Sequence, residues 1–202
     1  MTYKDFGHGT GSISSRRVRL TIAAGAIAAA LALPVAADAS TGSGGVGMGG
    51  SGTTPPTAGM TTAGHKAKLK NGFAIPPASA PRKVQLAIQA ANQIVKGHPY
   101  CMGGGHARRV DSCYDCSGSV SYALTGAGLL DYAMPSGSFT GRHGWGEPGA
   151  GKWITTYANG GHMYAVIAGL RLDTSMTTGD GPGWSKVMRS SDGFEARHPV
   201  GL

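Results

Sequence analysis

Between Ser40 and about Gly64 the chain consists almost wholly of Gly, Ser, Thr, Pro, Ala and Met, with no hydrophobic period. Such a stretch cannot bury enough apolar surface to offset the entropy of ordering it, so it reads as a flexible tether. His65 to Ala80 continues with basic and Pro-rich character (Lys66, Lys68, Lys70, Pro76, Pro77), which extends the expected tether over 40–80. What remains for a hydrophobic core is a single domain of about 120 residues, 81–202. No internal repeat divides it.

Residues 1–39 read as an export signal. Arg16-Arg17-Val18-Arg19 precedes an apolar run from Leu20 to Leu33, and Ala37-Asp38-Ala39 gives the small-x-small pattern of a signal-peptidase site, with cleavage before Ser40. The run is short for a span of roughly 20 residues and is mostly Ala and Gly, which favours a removed signal over a retained anchor. Export through the general or the twin-arginine route fits, the latter because of Ser15-Arg16-Arg17. The expected location is outside the cell or in its wall, with membrane contact only during export. The formal charge is +8 with pI near 9.6, and loss of four basic and two acidic residues with the signal leaves +6. A basic surface suits anionic polymers. No dense Lys/Arg block with interleaved aromatics occurs, so nucleic acid is not an expected partner.

Pro81 opens a helix pattern over Arg82–Val95, with Val84, Ala87/Ile88, Ala91 and Ile94/Val95 on one face and Gly97 placed as its stop. A second helix is expected from Cys116, carried by Val120, Ala123/Leu124 and Ala127. The period then changes. Trp153–Tyr157 is β-prone, Ala158-Asn159-Gly160-Gly161 is a turn, His162–Ala168 is a second strand, and a turn at Gly169-Leu170 leads into Arg171–Thr174. Short strands are expected at Lys186–Met188 and Phe194–Arg197. Helices followed by antiparallel strands predict an α+β fold.

Cys101, Cys113 and Cys116 are an odd count for an oxidising compartment. Cys113-x-x-Cys116 by itself could be a redox pair or half a metal site. No second Cys pair accompanies it, and His98, His106 and His143 show no ligand spacing, so neither a metal nor another cofactor is expected. The other reading separates the three. Cys116 lies at a helix start, where free N–H groups and the positive end of the helix dipole favour a thiolate and can stabilise an oxyanion. Cys101 and Cys113 are then available for a disulfide around Gly103-Gly104-Gly105. His162, which opens an apolar strand after an Asn-Gly turn, is the candidate base; a lone strand-end His is ordinarily structural.

Tyr100-Cys101-Met102-Gly103-Gly104, then Asp115-Cys116-Ser117-Gly118-Ser119-Val120, then Gly161-His162 before a hydrophobic strand, resemble in kind and order the motifs of the NlpC/P60 family of papain-like cysteine peptidases. The resemblance spans about Pro99 to Thr174. It implies a papain-like core with the nucleophile helix packed on an antiparallel sheet. It further implies hydrolysis of peptidoglycan stem peptides, commonly between γ-D-glutamate and a diamino acid. Cys116 would be the nucleophile and His162 the proton carrier, with Tyr100, Asp115 and Ser117 shaping the substrate site. The family places an orienting residue about a dozen positions after the base. Asp173 occupies that place here, with a surface carboxylate as its other reading and Asn159 and His198 in reserve. Glu147–Trp153 departs from the family's Pro-Gly-Asp-Leu segment. The expected protein is thus a monomeric wall hydrolase. A non-catalytic wall-binding module on the same fold is one alternative, and a thiol acyltransferase or amidase for another amide is a second.

Overall fold

The computed structural model describes residues 54–107, 110–176 and 181–202. The expected signal peptide and the tether up to residue 53 lie outside the described residues. Among the described residues no helix is long and apolar enough to cross a membrane.

The first ordered elements fall inside the expected tether, and that expectation is corrected here. β1 (Lys68–Lys70) and β2 (Phe73–Ile75) form an antiparallel hairpin, closed by Asn71 and Gly72 at φ 51° and 83°. Positive φ at both turn residues matches the right-handed strand twist, which is why Asn-Gly suits the position. Ala67, Phe73, Ala74 and Ala80 are buried in the main core. The hairpin belongs to the domain.

Helix α1 (Arg82–Ile94) follows Pro81 and buries Val84, Ala87, Ile88, Ala91 and Ile94, the stripe that its 3–4-residue spacing requires. Helix α2 (Cys116–Gly126) crosses α1 closely, and a Cβ on Gly126 would run into Ala90. A 3₁₀ turn at Ser136–Phe139 buries Phe139. The strands β3 (Glu147–Pro148), β4 (Ile154–Ala158), β5 (Met163–Ile167), β6 (Leu170–Asp173), β7 (Gly183–Ser185) and β8 (Glu195–His198) make one antiparallel sheet in the order β3-β8-β4-β5-β6-β7. The α+β class is therefore observed. Helix α2 packs over β5 and β6. Alternation along β5 sends Met163, Ala165 and Ile167 into the core and Tyr164 and Val166 to the other face.

The β5–β6 turn is Ala168-Gly169, one residue earlier than the sequence suggested, and pairs Ile167 with Leu170 and Val166 with Arg171. Ala168 sits at φ 47°, a conformation costing roughly 1–2 kcal/mol for a residue with a Cβ. The shift places Leu170 in the core beside Ile167, and burying one Leu gives about 1.5–3 kcal/mol. Burial wins. β7 also lies before its expected position at Lys186–Met188, because Trp184 is the buried residue while Val187 and Met188 are exposed.

A buried polar side chain joins three distant parts of the chain. Asn92 on α1 donates from Nδ2 to Ala74 O (2.8 Å), and its Oδ1 accepts from Ala74 N–H (3.0 Å) and Trp184 Nε1–H (2.9 Å). In Asn92→Leu these three groups lose their partner without access to water. We expect a loss of about 3 kcal/mol or more, read as a lower denaturant midpoint. On the other side of the domain the Arg197 guanidinium donates to the carbonyls of Gly141, Gly144 and Gly146 and to Glu195, which fixes the 141–146 loop on β8.

Candidate active site

The site begins with a turn-to-helix junction. Asp115 is the N-cap of α2; its Oδ1 accepts from Gly118 N–H (2.6 Å) and Ser117 Oγ–H (3.0 Å), and its Oδ2 from Gly103 N–H (3.0 Å). Asp115 N–H in turn donates to Gly104 O (3.1 Å). The glycine loop is thus clasped against the first turn of the helix, and two glycines are required there. A Cβ on Gly118 would strike Gly104 O, and one on Gly104 would strike the Cys101 sulfur and Cys113 O. Cys101 and Cys113 are disulfide-bonded with Cα atoms 5.6 Å apart, which closes the loop from outside. Cys116 is the one free cysteine and is buried. The bridge therefore joins Cys101 to Cys113, and the C-x-x-C is not a redox pair.

Gly118→Ala tests the clasp. Forcing the helix start away from Gly104 costs about 1–3 kcal/mol by overpacking and displaces Cys116. We expect a lower urea midpoint and slower alkylation of Cys116 by iodoacetamide at pH 7.

His162 stands just before β5. Asn159 Oδ1 accepts from the N–H groups of Gly161 (2.9 Å) and His162 (2.8 Å), an Asx turn that fixes the backbone at the imidazole. Asn159 therefore positions His162 by its main chain and does not orient the ring. The ring itself is held by Asp173: Nε2 lies 2.9 Å from Oδ1. The Phe194 ring stands edge-on at 6.2 Å. Cys116 is near enough to the imidazole for its side chain to contribute to the raised His162 pKa. His162 is raised to about 9, first by the Asp173 hydrogen bond and then by the Cys116 side chain, against the opposing effect of burial. It is cationic at neutral pH.

Asp173 is fully buried on β6, opposite Tyr164 and so diagonal to His162 across the β5–β6 pair. Burial pushes its carboxyl upward. The bonds from His162 and from Ser175 N–H and Oγ–H (2.9 and 3.0 Å) outweigh this and hold it at about 2. Two cations face its Oδ2: Arg189 Nη1 at 3.3 Å and Arg171 Nε at 3.4 Å. Arg189 also donates to Ser175 Oγ (2.8 Å) and lies over the rings of Tyr164 and Phe194 at 5.3 and 5.1 Å. The loop between β7 and β8 thereby seals the carboxylate from water.

The sequence-predicted residues gather unevenly. Cys116, His162 and Asp173 come together. Asp115 and Ser117 are buried and shape the site from beneath, whereas Tyr100 is 40 % exposed. The Tyr100 hydroxyl is shifted up, by partial burial first and then by the proximity of Cys116 and Asp115. His198 is elsewhere, paired with Glu147 at 3.2 Å on the far edge of the sheet. His106, Arg171, Arg189 and Phe194 were not foreseen as parts of the site. His106 Nε2 sits 3.0 Å from Asp115 Oδ1 and 3.2 Å from Ser117 Oγ, a second His–Asp pair at the start of α2. Its position one residue after the Gly-Gly-Gly run was the available signal. Asp115 lies below the usual carboxylate range: burial raises it, and the Gly118 N–H and His106 bonds more than offset that. Among the described residues no group of three or more His, Cys, Asp or Glu could hold a metal ion.

The arrangement offers a thiol at a helix N-terminus, a protonated imidazole near it, and a buried carboxylate behind the imidazole. Compared with protein-family models and with curated proteins, the chain matches none of them.

Proposed function

We propose that the protein is an exported cysteine peptidase with a papain-like core of the NlpC/P60 type, and that it cuts amide bonds in peptidoglycan stem peptides. The observation that carries this reading is the line Cys116–His162–Asp173, built on a helix start and sealed at its buried end. A binding module has no use for a thiol joined to a cationic imidazole. The motif resemblance supports the γ-D-glutamyl–diamino acid bond as the one cut. The disulfide fits an oxidising location.

The chemistry follows from the charges. The Cys116 thiolate attacks the amide carbonyl carbon, a C–S bond forms, and the carbonyl oxygen becomes an oxyanion. The first-turn N–H groups of Cys116 and Ser117 have no protein acceptor among the described residues and point along the helix dipole. With the Tyr100 hydroxyl they can receive that charge. As the C–N bond breaks, His162 gives its proton to the departing amine nitrogen. Water then splits the thioester after losing a proton to His162, which restores the pair. Asp173 keeps the ring in register through both proton transfers.

Soluble muropeptides incubated with the purified full chain, and read by mass spectrometry, should yield fragments ending in a new γ-D-glutamyl carboxylate and a new free amine. If glycosidic products or a transferred acyl group appear instead, the proposed bond is wrong.

A further inference from the structure

A second cleft lies well away from Cys116. Its volume is about 370 Å³, and its walls include His65, Lys66, Lys152, Trp153, Thr155 and Val166. Thr155 and Val166 are cross-strand partners on β4 and β5. Val166, on β5, lies four positions after His162, so the cleft opens roughly 13 Å or more further along the sheet. It is a built feature. Ala67 N–H donates to Ala168 O (2.8 Å), which fastens the segment before β1 over the β5–β6 turn. Gly169 leaves room for the Lys66 stem, which passes within 3.4 Å of where a Cβ would sit. Ser79 Oγ lies 3.1 Å from His65 Nδ1 and fixes that ring near Trp153, 6.5 Å between centroids. Thr155 Oγ1 accepts from Gly151 N–H (3.1 Å) and shapes the floor.

The lining selects among ligands. Lys66 and Lys152 are exposed cations at the rim, with the Lys152 ammonium 5.8 Å from the Trp153 ring centre, and no acidic residue lines the cleft. β4 and β5 are interior strands, so their backbone groups are already paired and cannot take up an extended peptide. A half-buried indole beside two ammonium groups matches a sugar ring that carries a carboxylate: the C–H face packs on the ring and the anion meets the lysines. A polyol-phosphate polymer offers charge but no flat sugar face.

We propose that this cleft is a non-catalytic binding site for a carboxylate-bearing sugar of the wall glycan strand. It rests on the wall-hydrolase reading for its choice of polymer and deepens it. The cleft holds a peptide-free sugar, whose carboxylate is not consumed in an amide, while the cysteine site works on a peptide carried elsewhere on the same strand. Each contact is exposed and weak, so the effect grows with the number of sugars on one strand.

The test uses the full chain carrying Cys116→Ala, so that binding is read without hydrolysis. Peptide-free glycan strands are titrated against Trp fluorescence, beside neutral chitin oligomers and polyglycerol phosphate. The glycan should bind at least about tenfold more tightly than either control at low salt, and Lys66→Glu/Lys152→Glu should abolish that margin. Trp153→Phe keeps an aromatic wall, and should remove the saturable fluorescence change. In the Cys116-intact chain the double charge reversal should leave turnover of soluble muropeptides unchanged while slowing digestion of whole walls. Equal affinity for neutral oligomers, tighter binding of polyglycerol phosphate, or unaltered glycan binding by the charge-reversed chain would each overturn the proposal. Failure of the peptidase reading shows differently: no muropeptide is cut, whatever the glycan titration gives.

Discussion

We expect Cys116→Ala to lower the release of new amines from wall peptides by at least about 10⁴-fold, because no other group at the site can form the proposed thioester. The expected loss concerns rate and not fold. Cys116 is a small side chain at 9 % exposure, and deleting one sulfur there changes stability by about 1 kcal/mol. The contrast between a small shift in melting midpoint and vanished turnover identifies the nucleophile. Cys116→Ser sharpens the comparison, since a hydroxyl keeps the shape but does not ionise beside an imidazole at neutral pH. Product formation by Cys116→Ala at the normal rate would remove Cys116 from the mechanism.

The second large effect is expected from Asp173→Asn. An amide is nearly the same size and can still accept from His162, so the ring stays close to its place while the charge behind it disappears. The Asp173 hydrogen bond is the largest cause of the raised His162 pKa of about 9. Without the anion the alkaline limb of the rate profile moves from near 9 toward the ordinary histidine value of 6.5. Turnover at pH 8 drops by about 10²–10⁴-fold. Arg171 and Arg189 worsen the outcome, because with the carboxylate gone both cations face a ring that must carry a positive charge.

Stability follows the same pair. His162 is raised, so its contribution is complete below about 6.5 and is lost as pH rises through about 9. Asp173 is lowered, so its contribution is complete above 3.8 and is lost as pH falls through about 2. The two shifts describe one interaction, worth on the order of 2 kcal/mol. Wild type should therefore hold a plateau of stability between about pH 4 and 6.5, with a decline on each side. In Asp173→Asn the decline tied to His162 above pH 6.5 should be missing from denaturant curves.

What the sequence made legible was whatever is carried by local pattern. Helix α1 announces itself through the spacing of Val84, Ala87, Ile88, Ala91 and Ile94 and through Pro81 before it. Helix α2 and its N-cap are readable from Asp115 to Gly118. β4 to β6 are readable from their β-prone runs, and Asp173 comes within reach only through the family resemblance, which places an orienting residue about a dozen positions after the base. Locally Gly169 reads as the first turn residue, yet the β5–β6 turn is Ala168-Gly169. The competing demand, burial of Leu170 against the core, is not local. The β1–β2 hairpin hides for a related reason. Asn71-Gly72 carries a turn signal, but strands of three residues are too short to show alternation, and Ala74 is held by Asn92, which also accepts from Trp184 far along the chain. Arg171, Arg189 and Phe194 join the site through sheet pairing and a long loop, which no spacing rule reaches. His106 was visible only as a possible ligand until the disulfide and glycine clasp brought it onto Asp115.

The distribution of the site along the chain has a consequence in time. Cys116 lies near the middle, while His162, Asp173, Ser175, Arg189 and Phe194 all come later. During synthesis the thiol therefore appears first and these partners last. A chain interrupted anywhere before Asp173 carries a cysteine with no oriented base, and one interrupted before Arg189 leaves the carboxylate unsealed. Competence arrives only as the final strands pair, so the order of the chain itself delays the reactive state until the fold is nearly complete.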